Sequence, residues 1–573
     1  MNKQLFNNHS KSTDTLNEAG GKAYALTPKQ ALAQLVSTGT LNHTFYVDAN
    51  TQLDQILATA TKVDSEFLAK VAVYGRHHSR MKDVPVLLLA LLATREDGQP
   101  LFKAVFNQVV DNGKQLRNFV QIMRSGVVGR KSLGSLAKKQ VNEWLADASD
   151  YRYVSANIGN SPTLGDVLRM THPRPDDERQ EALYQWTLGR DYKLENLPTL
   201  VQQLVAFQAD NSQPLPDVPL QMLMSLDLTT AHWATIAKNG NWQMLRMNLN
   251  TFARHGVFGV DGMSEIIADK LADATAVRKS GVFPYQLYTT WSALDSKVPS
   301  VVKDALANAM TTALANVPVL DGNIVVAVDV SGSMSSPVTG YRRGATSVVR
   351  CVDAAALFAA AIKKANPTAR IMPFDTELRM VKSLEALKTS AQVKALAKQA
   401  EQTVPNSMMQ KIAQSRLFRQ QKADEKLAKQ PSIPTTPAPP VDIDVFALAT
   451  ELASLCGGGT AVSIPLERLN QENANVDVMI YFSDNESWAD PHYGRGTQMM
   501  AQWDKLKKRN PNAKLICVDV QPYTHSQARE REDVLNVGGF GDEVFRMIDL
   551  FAKGQLQADH WVGKVDKIVL PTS

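Results

Sequence analysis

The sequence predicts two structural parts, an all-α region of helical repeats followed by a doubly wound α/β domain. Up to about residue 317, apolar residues recur at three- and four-residue spacing in segments separated by short breaks. After Pro318, short apolar runs rich in β-branched residues alternate with helical stretches. The 573 residues suffice for more than one folded unit. We therefore expect a polar, flexible tail over 1–20, a helical region over 21–317 and an α/β domain over 318–573.

The predicted helices of the first part are amphipathic. In one of them, Leu53, Ile56 and Ala60 share a face. The predicted segments include Pro28–Thr38, Gln52–Tyr74, Val84–Arg95, Leu133–Ala148, Thr199–Gln208, Leu220–Asp227, Asn241–Ala253, Met263–Ala272 and Val301–Ala315. Because each helix must bury its apolar face on a neighbour, we expect stacked helix pairs in an α-solenoid.

The second part begins with Asn323–Val330, an apolar run typical of a strand that is buried on both faces. Further strands are predicted at Ala369–Phe374, Val476–Phe482 and Lys514–Val520. Helices are predicted between and after them at Ala345–Lys364, Val445–Cys456, Gln498–Arg509 and Gly541–Phe551. This alternation predicts a parallel sheet. Between about 385 and 440, a Lys/Gln/Ala-rich stretch and a Pro-rich connector interrupt it, which predicts a surface insertion.

Composition excludes several classes of protein. A hydrophobic content of 44% excludes wholesale disorder, and a net charge of +5 is too mild to identify a nucleic-acid binder. Cys351, Cys456 and Cys517 form no CxxC pair, which suits a reducing cytosol. The N-terminus has no apolar signal-peptide core, and the longest apolar run, Val84–Ala93, is too short to cross a bilayer. We therefore expect a cytoplasmic protein.

Three elements of the α/β domain carry oxygen ligands at predicted strand ends or glycine-rich turns. The first strand runs into 329–333 (DVSGS), a glycine-rich turn over 457–460 (GGGT) ends in a hydroxyl, and Ser483-Asp484 closes the strand over 476–482. The carboxyl ends of parallel strands meet at one edge of a sheet, where ligands normally bind. Hard oxygen ligands favour Mg²⁺ or a similar cation.

This combination resembles the metal-ion-dependent adhesion site of von Willebrand factor A domains. The resemblance implies five site residues, some coordinating through water: Asp329, Ser331, Ser333, Thr460 and Asp484. It also implies a divalent cation, with Mg²⁺ expected, and an open position for the carboxylate of a partner protein. The sequence offers no histidine base and no nucleophile–base pair here, which favours binding over catalysis. A cation that only braces the loops is the alternative.

A local basic patch lies in the helical region. Between Asp111 and Glu143 there is no acidic residue, and the stretch carries seven positive charges: Lys114, Arg117, Arg124, Arg130, Lys131, Lys138 and Lys139. Such side chains neutralise phosphates independently of sequence. Two further segments have the same character, one with Arg76 and Arg80, the other with Arg169, His172 and Arg174. For any single charged run, a solvated face is the alternative.

The architecture and several motifs together resemble the TROVE-domain Ro ribonucleoprotein family, including its bacterial members. In the helical region the resemblance rests on 35–47 (LVSTGTLNHTFYV), 68–76 (LAKVAVYGR) and 168–175 (LRMTHPRP). In the α/β domain it rests on DVSGSM, CGGGT and SDNESW. The match covers most of the chain, and the order of the motifs makes it specific. Just upstream of the THPRP segment, where family members tend to carry Lys and Arg, residues 155–160 carry none, and Arg152 is the nearest.

The resemblance implies a monomeric ring of HEAT-like helical repeats, closed by a von Willebrand factor A domain around a basic central hole. It implies binding of small non-coding Y RNAs on the outer surface and of single-stranded 3′ ends of misfolded RNAs in the hole. It also implies work in RNA quality control, with an exoribonuclease such as polynucleotide phosphorylase as a partner. His172 matches a family RNA-contact histidine. The basic residues of 114–139 are assigned to RNA contact by charge alone.

We therefore predict a non-enzymatic RNA-binding protein with a separate cation site. Two other hypotheses stay open at this point. One is a metal-dependent protein-interaction scaffold, a helical solenoid with an A domain, that does not bind RNA. The other is a hydrolase that uses a metal held by Asp329 and Asp484.

Overall fold

The structure, a computed structural model, describes residues 12–159, 161–314, 317–341, 349–386, 443–490, 496–539, 541–556 and 560–571. The predicted insertion over about 385–440 lies almost wholly outside these ranges. Within them, no helix is both long enough and apolar enough to cross a membrane.

The first part of the chain is helical, as predicted. Its α-helices are α1 (Pro28–Thr38), α2 (Ala49–Ala60), α3 (Ser65–His77), α4 (Val84–Leu92), α5 (Gln99–Val109), α6 (Gly113–Ser125), α7 (Gly134–Asp147), α8 (Asp150–Ala156), α9 (Leu164–Thr171), α10 (Glu178–Leu188), α11 (Thr199–Ala209), α12 (Leu220–Leu223), α13 (Thr230–Asn239), α14 (Trp242–Arg254), α15 (Met263–Ala272), α16 (Ala274–Ser280), α17 (Pro284–Ser292) and α18 (Ser300–Ala313). Their apolar faces form one continuous core that extends into the α/β domain.

One predicted helix is two helices. The segment Gln52–Tyr74 is divided between α2 and α3, and α2 ends at Ala60. Asp64 caps the second helix, since its carboxylate accepts a hydrogen bond from the backbone N–H of Phe67 at 2.7 Å. The apolar periodicity continues across the break, but an aspartate three residues before that N–H favours a new helix start.

The α/β domain contains a parallel five-stranded sheet in the described residues. Its strands are β3 (Ile324–Asp329), β4 (Arg370–Phe374), β5 (Val478–Ser483), β6 (Lys514–Asp519) and β8 (Val534–Gly538), in the order β4-β3-β5-β6-β8. The helices are α19 (Cys351–Ala365), α20 (Val445–Ser454), α21 (Ile464–Gln471), α22 (Gln498–Arg509), α23 (Asp542–Ala552) and α24 (His560–Asp566). Four of these strands were predicted. β8 was missed because an asparagine interrupts its short apolar run.

The expected tail over 1–20 is corrected by its described part, residues 12–20. Here β1 (Thr15–Leu16) pairs with β2 (Lys22–Ala25), which pairs with β7 (His525–Ser526) of the α/β domain. Buried Asn17 donates to the backbone oxygen of Ser487 at 2.8 Å. Polar composition suggested mobility, but these polar groups are satisfied by partners on the other domain.

Both ends of the helical region contact the α/β domain. At the first end, the indole N–H of Trp561 donates to the hydroxyl of Tyr74 at 2.9 Å, and α1 packs on β8 and α24. At the other end, the Tyr288 and Thr450 hydroxyls lie 2.9 Å apart and α17 packs on α19. The Arg80 guanidinium, from the first end, lies directly against Gly281 near the second. The chain therefore closes on itself.

Candidate cation site and basic surface

The predicted cation site is assembled at the carboxyl edge of the sheet. Asp329 is the last residue of β3 and is fully buried. One of its carboxylate oxygens accepts from the backbone N–H of Ser331 at 2.9 Å, and the other accepts from the Ser483 hydroxyl at 2.6 Å. Since Ser483 ends the neighbouring strand β5, these bonds fix the orientation of the carboxylate between two strand ends.

The two serine hydroxyls and the threonine are brought to the same edge. The Oγ atoms of Ser331 and Ser333 lie 3.2 Å apart. The glycine-rich turn that carries Thr460 is joined to the serine loop by two backbone bonds, from Gly457 N–H to Val330 O at 2.7 Å and from Gly332 N–H to Gly458 O at 3.0 Å. Thr460 is buried there.

Gly458 makes this close approach of the two loops possible. It has φ +78°, and a Cβ at this position would lie 2.7 Å from a carboxylate oxygen of Asp375. A residue with a side chain would be both strained and obstructed here. The glycine run is therefore required by the site.

Asp484 supplies the second carboxylate and is buried. Its Oδ1 accepts from the Glu486 backbone N–H at 3.2 Å, while its Oδ2 has no hydrogen-bond partner among the described residues. Burial, with the nearby charge of Asp484, raises the pKa of Asp329 to about 7. Burial, with the charge of Glu486, raises the pKa of Asp484 to about 7. Two buried carboxyls with raised pKa values and a buried oxygen without a hydrogen-bond partner fit a site that binds a cation.

The donor set fits a hard divalent cation. Two carboxylates and three hydroxyls, all from residues at most 4% exposed, face one strand edge, and Mg²⁺ prefers oxygen ligands of this kind. A bound cation would be held by Asp329 or Asp484 with the serine and threonine hydroxyls. It would supply a Lewis-acidic position for an oxygen ligand.

Sequence reasoning missed two groups beside this site. Glu486 is buried two residues after Asp484, and its carboxyl lies 2.7 Å from His525 Nε2 and accepts from the Ala19 backbone N–H at 2.8 Å. Burial raises the pKa of Glu486 to about 8 and lowers that of His525 to about 4. The second group is Tyr46: burial, with the nearby charge of Asp484, raises the pKa of its phenol to about 12. Tyr46 lies in the quoted 35–47 motif, but its distance in sequence from Asp484 conceals this proximity.

The predicted basic patch is divided by the fold. Lys114, Arg124, Arg130, Lys131 and Lys139 are exposed, and Lys138 is half-buried. Exposed side chains on the second segment are Arg169, His172 and Arg174, and Arg80 is exposed on the first. Arg169 pairs with Asp166 at 3.1 Å, and Lys139 lies 3.7 Å from Glu143, so part of the charge is locally balanced.

Two predicted RNA-contact residues are engaged inside the protein instead. Arg117 is buried, and its guanidinium donates to the backbone oxygens of Gly113, Ile158 and Pro162. Arg76 makes a bidentate pair with Asp111, with bonds of 3.0 and 2.8 Å. Both residues were predicted from the number of positive charges along the chain, which does not reveal hydrogen bonds within the fold. Their guanidinium groups donate to carbonyl and carboxylate oxygens of neighbouring segments. We therefore remove both from the RNA-contact set.

Arg152, the nearest basic residue to the uncharged 155–160 segment, is also engaged within the fold. Its guanidinium lies 4.3 Å from the centre of the Trp144 ring and donates to the Val110 backbone oxygen at 3.4 Å. It therefore adds little to an outer phosphate-binding surface.

Contacts between α6, α7 and α9 bring part of the exposed basic patch together. The Arg124 guanidinium on α6 lies 2.8 Å from the Met170 sulfur on α9, and Asn142 on α7 reaches the Thr171 backbone oxygen at 3.4 Å. Lys138 is one helical turn before Asn142. His172 ends α9 in the left-handed region, with φ +49°, and is exposed. We call the following exposed or half-buried residues, which lie on α6, α7, α9 and their adjoining loops, the α6–α9 surface: Lys114, Arg124, Arg130, Lys131, Lys138, Lys139, Arg169, His172 and Arg174.

Comparisons with known proteins extend over nearly the whole chain. No protein-family model matches it. It is 24% identical to RNA-binding protein RO60 of Deinococcus radiodurans, over 94% of this chain and 95% of the relative. The crystal structure of the RO (RSR) protein of the same organism matches with a TM-score of 0.56 and 18% identity. That match covers 92% of this chain and all of the other.

The solved structure supports the fold, a helical region joined to an α/β domain, and the curated relative shares sequence along both parts. The resemblance that the motifs indicated is confirmed as a similarity: over nearly its whole length this chain is similar to a protein named RNA-binding protein RO60.

Proposed function

We propose that this protein binds RNA through the α6–α9 surface. The observation that carries the proposal is the similarity, over 94% of the chain, to a protein named for RNA binding. Exposed Lys and Arg side chains on α6, α7 and the loop after α9 supply the positive potential that phosphates require. The name of the relative also agrees with the predicted non-enzymatic role.

For the kinds of RNA and the places where they bind, we propose those that the resemblance to the Ro family implies. A HEAT-like ring closed by a von Willebrand factor A domain would leave a hole that admits single strands and excludes duplex. Single-stranded 3′ ends of misfolded RNAs would enter the hole, and Y-like RNAs would bind outside, in RNA quality control with an exoribonuclease such as polynucleotide phosphorylase. The contacts of both ends of the helical region with the α/β domain support the closed ring.

We propose that the site of Asp329, Ser331, Ser333, Thr460 and Asp484 holds Mg²⁺. The support is the unpartnered buried oxygen of Asp484 beside a second carboxylate. Recruitment of a partner protein through its carboxylate belongs to the same proposal. The cytoplasmic location and the monomeric state stay predictions.

Filter binding across a salt series tests the RNA proposal. A hairpin RNA with a single-stranded 3′ tail is compared with a blunt duplex of the same length. We expect tighter binding of the tailed RNA, with log K falling linearly as log salt rises. An affinity that does not change with salt concentration, or equal affinity for the blunt duplex, would falsify the proposal and favour the scaffold hypothesis. Turnover of RNA or nucleotide by the pure protein would favour the hydrolase.

A further inference from the structure

A cavity lies at the second junction between the helical region and the α/β domain. It has a volume of about 600 Å³ and lies among α17, α18, α19 and the start of α20. Both parts of the chain line it: Trp291 and Lys303 come from the helical region, and Lys364 and Phe446 come from the α/β domain. A cavity of this volume is typical of sites for small organic ligands.

Nearly parallel aromatic rings stand at one side of this cavity. The rings of Trp291 and Phe446, which both line it, have centres 4.9 Å apart and an interplanar angle of 12°. Phe446 is also stacked with Tyr288, with ring centres 5.9 Å apart and an angle of 19°. Trp291 is 39% exposed, so a further planar ring can stack on it from the cavity.

Hydrogen bonds across the junction hold these rings in place. The hydroxyls of Tyr288 and Thr450 lie 2.9 Å apart, which joins α17 to α20. Asp444 caps α20, since its Oδ1 accepts from the backbone N–H groups of Phe446 and Ala447 at 2.9 and 3.1 Å. A planar ligand therefore meets a preorganised surface, which lowers the entropic cost of binding it.

Two lysines give the cavity positive charge. Lys303 on α18 is half-buried, and Lys364 on α19 is exposed. Both line the cavity, and they reach it from different parts of the chain. An ammonium group binds a phosphate as a point charge, so two of them around one cavity suit a phosphate group.

Two carboxylates also line the cavity and bear on the choice of base. The carboxylate of Asp444 is engaged in capping α20. The carboxylate of Asp304 is exposed, and it can accept a hydrogen bond from the exocyclic amino group of a base. Adenine carries such a group and uracil does not, so we expect adenine to be preferred.

We propose that this cavity binds an adenine nucleotide, with the base stacked on Trp291 and the phosphate held by Lys303 and Lys364. Stacking on an aromatic side chain beside positive charge is how many proteins bind single-stranded nucleic acid. The same chemistry is offered by a free nucleotide and by one nucleotide of a single-stranded RNA. The cavity shares no residue with the α6–α9 surface, and its role does not depend on RNA binding there.

Calorimetric titration of the full-length protein with AMP, UMP, adenosine and a short oligoadenylate tests the proposal. We expect the wild type to bind AMP more tightly than UMP. Trp291→Leu removes the ring and should weaken AMP binding about tenfold, as for loss of a base–aromatic stack, whereas Trp291→Tyr should retain most of the affinity. Trp488→Leu is the matched control, because it replaces another tryptophan, 49% exposed, and should bind as the wild type does.

A double lysine variant tests the phosphate contact separately. Lys303→Gln with Lys364→Gln should weaken AMP binding several-fold and leave adenosine binding unchanged, since adenosine has no phosphate. Lys505→Gln with Lys508→Gln removes the same charge from exposed positions on α22 and should change neither affinity.

The oligoadenylate distinguishes the two sources of the nucleotide. Tighter binding of oligoadenylate than of AMP, lost in Trp291→Leu, assigns the cavity to single-stranded RNA, and equal affinity assigns it to a free nucleotide. A wild type that binds neither ligand, or wild-type affinity in Trp291→Leu, would overturn the proposal. Arg124→Gln with Arg174→Gln should leave AMP binding unchanged, so a failure of the α6–α9 surface is seen independently.

Discussion

The candidate cation site and the α6–α9 surface use charge in opposite ways. At this candidate site Asp329 and Asp484 are buried together. Both carboxylate oxygens of Asp329 accept hydrogen bonds, and Oδ2 of Asp484 has no partner among the described residues. On the α6–α9 surface, long cationic side chains stand in solvent on separate helices. Buried charges select one small ligand by geometry, whereas exposed charges create a potential that many phosphate arrangements satisfy.

The largest expected effect is on Mg²⁺ binding, and it distinguishes the candidate cation site from the α6–α9 surface. Asp329→Asn keeps the shape of the side chain and removes a charge, so Mg²⁺ binding should fall at least about 100-fold, as expected when a charged ligand is removed. In the wild type, Mg²⁺ at 100 times its Kd should stabilise the fold by about 2.7 kcal/mol. Melting curves with and without Mg²⁺ measure both. RNA affinity should stay within twofold of the wild type, and a parallel loss of RNA binding would contradict the separation.

Two arginines of α6 allow a buried charge to be compared with an exposed one by its effect on stability. Arg117→Met leaves three backbone oxygens without their donor and should destabilise the fold by about 2–4 kcal/mol. Arg124→Gln, seven residues later on the exposed face, should change stability by less than about 0.5 kcal/mol. Urea unfolding of both variants checks this. Equal stabilities would mean that Arg117 is not the internal brace described above.

A third variant tests the exposed surface alone. Arg124→Gln combined with Arg174→Gln should weaken RNA binding several-fold and reduce the salt slope by about 1 for each phosphate that is no longer neutralised. Lys505→Gln with Lys508→Gln removes the same charge from exposed positions on α22 and serves as the control. Filter binding at several salt concentrations measures both double variants. Equal losses of RNA affinity in the two double variants would show that binding depends on net charge and not on the α6–α9 surface.

The smallest expected effect is a pH dependence of the cation site. Since the folded pKa values of Asp329 and Asp484 lie above their ordinary values, the folded protein holds protons that the unfolded chain releases. Their contribution to stability is therefore present below pH 4 and lost as pH rises towards 7. Mg²⁺ would bind the ionised pair of carboxylates and should therefore reduce this loss of stability. Melting temperatures from pH 5 to 8 should diverge with and without Mg²⁺ by a few degrees, and parallel curves would contradict it.

The two regions also differ in how far the sequence predicts them. The proposed cation ligands lie in short motifs at strand ends, so local pattern and sheet topology place Asp329 and Asp484 together. Arg117 and Arg76 were predicted to contact RNA because charge along the chain does not reveal which guanidinium groups serve buried oxygens. Tyr46 escaped prediction because it packs against Tyr523, which is distant in sequence.

The N-terminal segment also has contacts that local sequence does not reveal. Residues 12–20 are polar, and their partners, Glu486 and Ser487, lie more than 460 residues away. Local composition describes the segment correctly as polar, but only the tertiary structure determines that its polar groups are satisfied. Helix positions, which depend on local periodicity and capping, were predicted closely, as for α1, α15 and α22.

Ultraviolet cross-linking of bound RNA, followed by identification of the cross-linked peptides, shows directly whether RNA lies on the α6–α9 surface. The protein is loaded with a 3′-tailed hairpin RNA and irradiated. We expect cross-links within residues 114–139 and 169–174. Cross-links confined to the α/β domain, or none above a no-RNA background, would contradict it.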